Sequence, residues 1–272
     1  PKTPKPQNPK TPKPHEFENI ICFVIFIIFF ETSIKITTMS ALKNLTRDIL
    51  FLEQGQIPIE QSGLKVEKLD YAGDKEAPEN NLKDEDVHKL SNAVEGNVEF
   101  QGPLDLSNND LSDLAALYIQ EAIQKEGSKH FNKINFGGNP RLSSKSGVFI
   151  GQSLIDNVDH PVSKISFKNC DLGEPGVVRI IEASNCNKNI KKINLGLVSD
   201  RSLKSIGELL RTNTSLEKLK FSEHKKKLWS TQNKELFVQM LKENKTLKKV
   251  TFIPADKSDP EHNGHYMFKK EI

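Results

Sequence analysis

The sequence predicts an α/β solenoid, in which short strands form one parallel sheet on the concave face and helices cover the convex face. Three observations lead to this prediction. A pattern of apolar residues recurs seven times, its copies lie 26 to 35 residues apart, and the apolar spacing after each copy becomes helical. One repeat of this size is too small to bury its own apolar face, so neighbouring repeats must stack around a common core.

The composition is that of an ordinary globular chain. Among 272 residues, 39 are basic and 36 are acidic, for a formal net charge of +3. A dedicated nucleic-acid binder would carry a stronger basic excess, so we expect no nucleic-acid partner. Three cysteines (Cys22, Cys170 and Cys186) are too few and too scattered for a disulfide framework or a zinc site. We therefore expect a reducing compartment and a cytoplasmic protein.

Residues 1–38 precede the first methionine, Met39, and have an unusual composition. The unit PKTPKPQN begins at Pro1 and again at Pro9. Three copies of the DNA octamer CCCCAAAA translate into this unit, and the octamer resembles a telomere repeat. We interpret residues 1–38 as translated non-coding DNA, with Met39 as the expected start.

Two other interpretations of this segment stay open. It can be a proline-rich linker, or it can target the chain to a membrane through the apolar run Ile20 to Phe30. That run has 11 residues, whereas a spanning helix needs about 17–25. It has the length of a signal-peptide core, but no small-residue cleavage site follows it. We expect no membrane association unless residues 20–30 are translated.

A helical cap over residues 39–63 is expected before the repeats, because Leu42, Leu45, Ile49 and Leu52 have helical spacing. The repeats occupy residues 64–253. Their strand segments are VEKLDY at Val66, LDL at Leu104, FNKINF at Phe131, VSKISF at Val162, IKKINL at Ile190, LEKLKF at Leu216 and LKKVTF at Leu247. Residues 254–272 have no periodicity, and we expect a mobile tail in which Tyr266 to Phe268 can fold back on the last strand.

Helical spacing follows the strand segments. Residues marking three of these helices are Leu114, Leu117 and Ile123; Leu203, Ile206 and Leu210 after the capping residues Ser199 and Asp200; and Leu236, Met240 and Leu241 after Trp229. Within the strands, alternation predicts that Leu219 and Phe221 are buried.

The strand segments and the residues that follow them resemble the leucine-rich-repeat family, whose pattern is L-x-x-L-x-L-x-x-N/C-x-L. The segment VSKISFKNCDL, from Val162 to Leu172, matches every position, with Cys170 in the Asn/Cys slot. Asn109 and Asn139 occupy the same slot in two earlier repeats. Val198 and His224 occupy it later, so a buried Asn ladder should be broken there. The helical second halves are similar to the ribonuclease-inhibitor-like subclass, which implies a horseshoe.

The sequence contains no catalytic motif that we recognise. It has neither a phosphate-binding Gly loop of the G-x-x-x-x-G-K type nor an H-E-x-x-H motif. Gly137 and Gly138 are expected to form a turn, His262 and His265 to lie in a solvated tail, and Cys170 to be a buried repeat position. We expect no enzyme activity, no cofactor and no metal ion. Of the sequons at Asn44, Asn213 and Asn244, the last two resemble Asn187 and are expected to be structural turns.

Lysine dominates the position just before the middle apolar residue of each strand. The seven residues there are Lys68, Pro103, Lys133, Lys164, Lys192, Lys218 and Lys249. Alternation points these side chains away from the core, onto the concave face, where Lys168 and Lys220 add charge and Asp70, Asp105 and Glu223 oppose it. Either the position tolerates solvated polar residues, or the row of like charges binds an acidic partner.

The function we expect is a protein-interaction module or scaffold that is monomeric and binds an acidic protein surface on its concave face. Two alternatives stay open. Residues 202–252 are similar to the C-terminal repeats of the tropomodulin family, which implies capping of actin filaments. The second alternative is regulation of a small GTPase, as in GTPase-activating proteins built on this fold. Actin co-sedimentation and a GTPase assay distinguish them, since the fold alone does not.

Overall fold

The computed structural model describes residues 41–60, 62–97, 99–125, 128–223, 229–253 and 266–269, the last range by its backbone alone. The expectations for residues 1–38, the start at Met39, His224, His262 and His265 lie outside the described residues.

Helices and strands alternate along the described chain. The helices are α1 (Ala41–Glu53), α2 (Asp84–Glu95), α3 (Asp113–Gln124), α4 (Ser144–Asp156), α5 (Gly173–Cys186), α6 (Asp200–Thr212) and α7 (Thr231–Glu243). The strands are β1 (Leu69–Asp70), β2 (Pro103–Asp105), β3 (Lys133–Asn135), β4 (Lys164–Ser166), β5 (Lys192–Val198), β6 (Lys218–Glu223), β7 (Lys249–Ile253) and β8 (Tyr266–Lys269). A short 3-10 helix, Pro78–Asn80, lies between β1 and α2.

The strands form one sheet in sequence order, and β1 to β7 are all parallel. The middle apolar residues lie side by side, from Leu69 and Leu104 in the first pair to Leu219 and Val250 in the last parallel pair. Strand β8 pairs antiparallel with β7, so this part of the tail folds back onto the last repeat. The predicted α/β solenoid is confirmed. Packed helices need about 8–10 Å each and strands about 4.8 Å, so the stack curves with the sheet inside.

Serines begin four of the helices. Ser112, Ser143, Ser199 and Ser230 are N-cap residues whose hydroxyls accept a hydrogen bond from the first turn. Three of these serines also donate their backbone N–H and their hydroxyl to an aspartate that begins the preceding helix: Ser112 to Asp84, Ser143 to Asp113, and Ser230 to Asp200. Each such aspartate therefore ties one repeat to the next.

The core lies between the sheet and the helices. Leu219 and Phe221 are each 1 % exposed, as alternation predicts. The inward face of α3 differs from the expectation, because Leu114 is 51 % exposed. Ile123 is buried as expected, and Ala115, Ala116, Ile119 and Ala122 share its buried face. The small alanines allow α3 to approach its neighbours closely, which a leucine at their positions would prevent.

The buried side chains of Asn109 and Asn139 form the expected ladder. The Asn139 amide donates to the carbonyl oxygens of Leu106 and Phe136, and its oxygen accepts the backbone N–H of Asn109. Cys170 continues the ladder with a weak bond from its thiol to the Phe136 carbonyl, 3.4 Å away.

The ladder ends at Val198, as expected, because a buried valine has no side-chain donor. Longer strands replace it there. Strands β5 and β6 have 7 and 6 residues, whereas β2, β3 and β4 have 3 each. Backbone pairing thus continues to Val198 and Glu223, where side-chain amides bridge the earlier repeats.

A second set of asparagines stabilises the turns from helix to strand. The Asn213 oxygen accepts the N–H groups of Ser215 and Leu216, and its amide donates to the Ser184 carbonyl of the preceding repeat. Asn244 repeats this pattern, and both side chains are buried. These two sequons are therefore structural turns, as expected.

Candidate functional site

The inner face of the sheet carries a row of lysines in register. The first residue of each strand from β3 to β7 is a lysine, and each lies opposite the lysine of the next strand. These five residues, called the lysine column below, are Lys133, Lys164, Lys192, Lys218 and Lys249. Parallel pairing places neighbouring Cα atoms of the column about 4.8 Å apart.

The lysine column is accessible to a partner. Lys133, Lys164, Lys192 and Lys218 are exposed, and Lys249 is half-buried. None of the five makes an ion pair within 4.0 Å of any residue in the described ranges. Because like charges at opposed strand positions repel, this alignment destabilises the free protein slightly. The column is thus an array of positive charges without a close ion pair to the described chain, although Glu217 lies within electrostatic reach of Lys192.

Polar residues complete the face beside the column. The next outward position carries Asn135, Ser166, Asn194, Lys220 and Thr251 on the same five strands. Lys168 is exposed beyond the end of β4. Together with four lysines of the column (Lys164, Lys192, Lys218 and Lys249), these residues line a shallow groove of about 610 Å³. The groove therefore offers ammonium, amide and hydroxyl groups to a ligand.

Lys68 occupies the same strand position as the lysines of the column, but acidic side chains surround it. Its ammonium lies 2.7 Å from an Asp70 oxygen and 3.0 Å from an Asp105 oxygen. Burial alone would raise the pKa of Asp105, but hydrogen bonds from Ser107 and Lys68 outweigh it and lower that pKa. Pro103 on the intervening strand separates Lys68 from Lys133. The charge of Lys68 is thus neutralised locally, outside the lysine column.

Glu223 does not oppose the column, contrary to the sequence-based expectation. It is 7 % exposed and accepts the backbone N–H of Trp229 at 2.8 Å. In β6 the Glu223 side chain lies on the core side of the sheet, as do Leu219 and Phe221, and this position explains its burial.

The sequence analysis missed a charge polarity along the repeats. Residues 41–130 contain 18 acidic and 9 basic side chains, whereas residues 131–253 contain 11 acidic and 22 basic ones. On the inner face, the acidic and the basic part of the repeats meet between β2 and β3, where the Asn135 amide donates a hydrogen bond of 2.9 Å to Asp105. Counting charge by halves of the chain would have found this polarity, which the net charge of +3 hides.

The described residues offer little for chemistry. Burial raises the pKa of the Cys170 thiol to about 11, so this thiol is protonated at neutral pH and is a poor nucleophile. Within the described ranges, no group of three or more His, Cys, Asp or Glu side chains is arranged to hold a metal ion. No helix of the described part is both long enough and apolar enough to cross a membrane.

Comparison with models of known protein families gave no match, and neither did comparison with curated proteins.

Proposed function

We propose that this protein is a non-enzymatic interaction module of the leucine-rich-repeat type, which binds an acidic protein surface on the inner face of its sheet. The observation that carries the proposal is the lysine column, five aligned lysines without an ion pair to any described residue. An acidic partner supplies the missing counter-charges and relieves the repulsion along the column.

Membership of the leucine-rich-repeat family is part of the proposal. It is supported by the strand-and-helix repeat and by the buried residues Asn109, Asn139 and Cys170 at the Asn/Cys position. A cytoplasmic location is also part of it. Both described cysteines are free thiols, Cys170 buried and Cys186 exposed, which favours a reducing compartment.

The test compares two variants with equal net charge. The column variant carries Lys133→Glu, Lys164→Glu, Lys192→Glu and Lys218→Glu. The control variant carries Glu at four exposed lysines outside the inner face, at Lys145, Lys188, Lys242 and Lys245. Each tagged protein captures partners from the native cell, and quantitative mass spectrometry compares what is bound.

We expect an acidic protein that binds the native chain and the control variant but is lost from the column variant. Its association rate with the native chain should fall as salt rises, because screening shortens the reach of these charges to about 8 Å at physiological ionic strength. Melting temperatures check that both variants fold. Equal capture by the column and control variants, with both folded, would contradict the proposal.

A further inference from the structure

We infer that the lysine column binds an acidic α-helix that lies across the strands. Each turn of this helix presents one carboxylate, and each carboxylate pairs with one lysine of the column. This inference rests on the proposed function and names the kind of surface that the column recognises. The length of the column sets the first condition. Five lysines on adjacent parallel strands span four strand spacings, about 19 Å between the outer Cα atoms.

A helix matches this spacing closely. Acidic residues at positions i, i+4, i+7, i+11 and i+14 lie on one helix face and span 14 residues of rise, about 21 Å. The difference from the column is about 2 Å in total, or about 0.5 Å per lysine. Flexible four-carbon side chains accommodate such a difference easily. All five lysines can therefore meet a carboxylate at the same time.

An extended acidic peptide fits poorly. Side chains on one face of a strand repeat every two residues, about 6.7 Å apart, so each step departs from the lysine spacing by about 2 Å. Over the length of the column such a peptide presents only about four carboxylates to the five lysines. Fewer lysines then find a carboxylate, and the remaining ammonium groups stay unpaired.

The groove beside the column selects a polar helix. Its second row carries Asn135, Ser166, Asn194, Lys220 and Thr251, and the apolar residues that also line the groove, Ile165, Ile193 and Leu219, are buried. Amide and hydroxyl groups of this kind hydrogen-bond to polar side chains and gain little from apolar ones. The helix therefore presents its acidic stripe beside polar residues, with any apolar face turned away from the sheet.

The charge polarity of the repeats orients the helix. Asp70 and Asp105 lie at the β1–β2 end of the inner face, and Lys68 compensates only one of their two charges. A helix has a partial positive charge at its N-terminus and a partial negative charge at its C-terminus. The N-terminus of the bound helix therefore lies toward β1 and β2, and its C-terminus toward β7.

The experiment uses three peptides of about 22 residues with blocked ends and five Glu in an Ala and Gln host. The stripe peptide has Glu at the spacing given above. The scattered peptide has the same composition with Glu distributed around the helix. The broken peptide keeps the stripe positions but has Pro at two central host positions, which prevents a continuous helix. Fluorescence anisotropy at low salt measures binding to the full chain, and circular dichroism measures peptide helicity.

The stripe peptide should bind about tenfold more tightly than either other peptide, because several ion pairs are lost when the carboxylates leave the column. The triple variant Lys164→Glu, Lys192→Glu and Lys218→Glu should abolish this preference. The control, with Lys145→Glu, Lys242→Glu and Lys245→Glu, should keep it. Spin labels at the two ends of the stripe peptide should broaden different backbone amide signals, near Asp105 for the N-terminal label and near Thr251 for the C-terminal label.

Two results separate failure of this inference from failure of the proposed function. Equal affinity for all three peptides, lost in the triple variant, would overturn the helix and leave an acidic partner in place. Undiminished peptide binding by the folded triple variant would overturn both, since the column would then not be the binding surface. The absence of binding by any peptide, or label effects at the opposite ends, would also overturn the inference as stated.

Discussion

Replacing Asn139 by alanine should destabilise the protein strongly, although it removes a side chain of modest size. The Asn139 side chain is 0 % exposed and makes four hydrogen bonds. Its amide donates to the carbonyl oxygens of Leu106 at 2.9 Å and Phe136 at 2.8 Å. Its oxygen accepts the backbone N–H groups of Asn109 at 2.9 Å and Leu111 at 3.1 Å. The substitution leaves these four backbone groups without their partner in a buried place.

The expected cost follows from these bonds. At about 1 kcal/mol for each buried hydrogen bond, the free energy of unfolding should fall by about 4 kcal/mol. That is a large share of the about 5–15 kcal/mol of a typical domain. Asn139→Cys, which copies the residue at position 170, should cost less because a thiol restores one weak donor.

Urea denaturation followed by far-ultraviolet circular dichroism measures the effect, with the midpoint and the slope compared among variants. The matched control is Asn135→Ala. The Asn135 side chain also makes hydrogen bonds, to Asp105 and from the Gly137 N–H, but it is half-exposed, so water can replace its partners. This control should cost about 1 kcal/mol or less. Equal losses for Asn139→Ala and Asn135→Ala would refute the argument that the buried ladder holds neighbouring repeats together.

Three further predictions concern packing, pH and backbone geometry. Leu219→Ala should cost about 2–5 kcal/mol through lost contacts and a residual cavity, whereas Lys220→Ala should change stability by about 0.5 kcal/mol or less; similar urea midpoints would show that the strand register is wrong. Burial lowers the pKa of His160 from 6.5 to about 4, so the unfolded chain binds its proton first. The free energy of unfolding should therefore fall by about 2–4 kcal/mol between pH 6.5 and 4, and His160→Gln should remove that part of the slope; an unchanged slope contradicts the assignment. Gly138 has a φ of +75°, and an added Cβ would lie 2.1 Å from the side-chain oxygen of Asn108, so Gly138→Ala should lower the melting temperature. Gly96→Ala is the control and should leave the melting temperature nearly unchanged, because its Cβ would meet nothing within 4 Å.

Much of the fold could be read from the sequence because its signals are local. The apolar positions that define each strand lie within six residues of one another, and alternation alone places Leu219 and Phe221 in the core. Asn109 and Asn139 were recognisable because each sits at a constant distance from its strand. The helical phase was less certain, since α3 contains apolar residues on several sides, and only packing against neighbouring helices decides between Leu114 and Ala115.

The sequence by itself determined the repeated alternation of strand and helix and the series of lysines at one strand position, because both depend on short-range spacing. Tertiary structure alone decided which lysines lack a counter-charge. Lys68 has the same place in its repeat as Lys133, yet it is paired both with Asp70, two residues away, and with Asp105, which lies 37 residues away and reaches it only through strand pairing. The exchange of the Asn ladder for longer strands at β5 and β6 also required the fold. A buried backbone group of one repeat forms its hydrogen bond with a group of the neighbouring repeat. Which group that is depends on how the repeats stack, not on the residues next to it in the sequence.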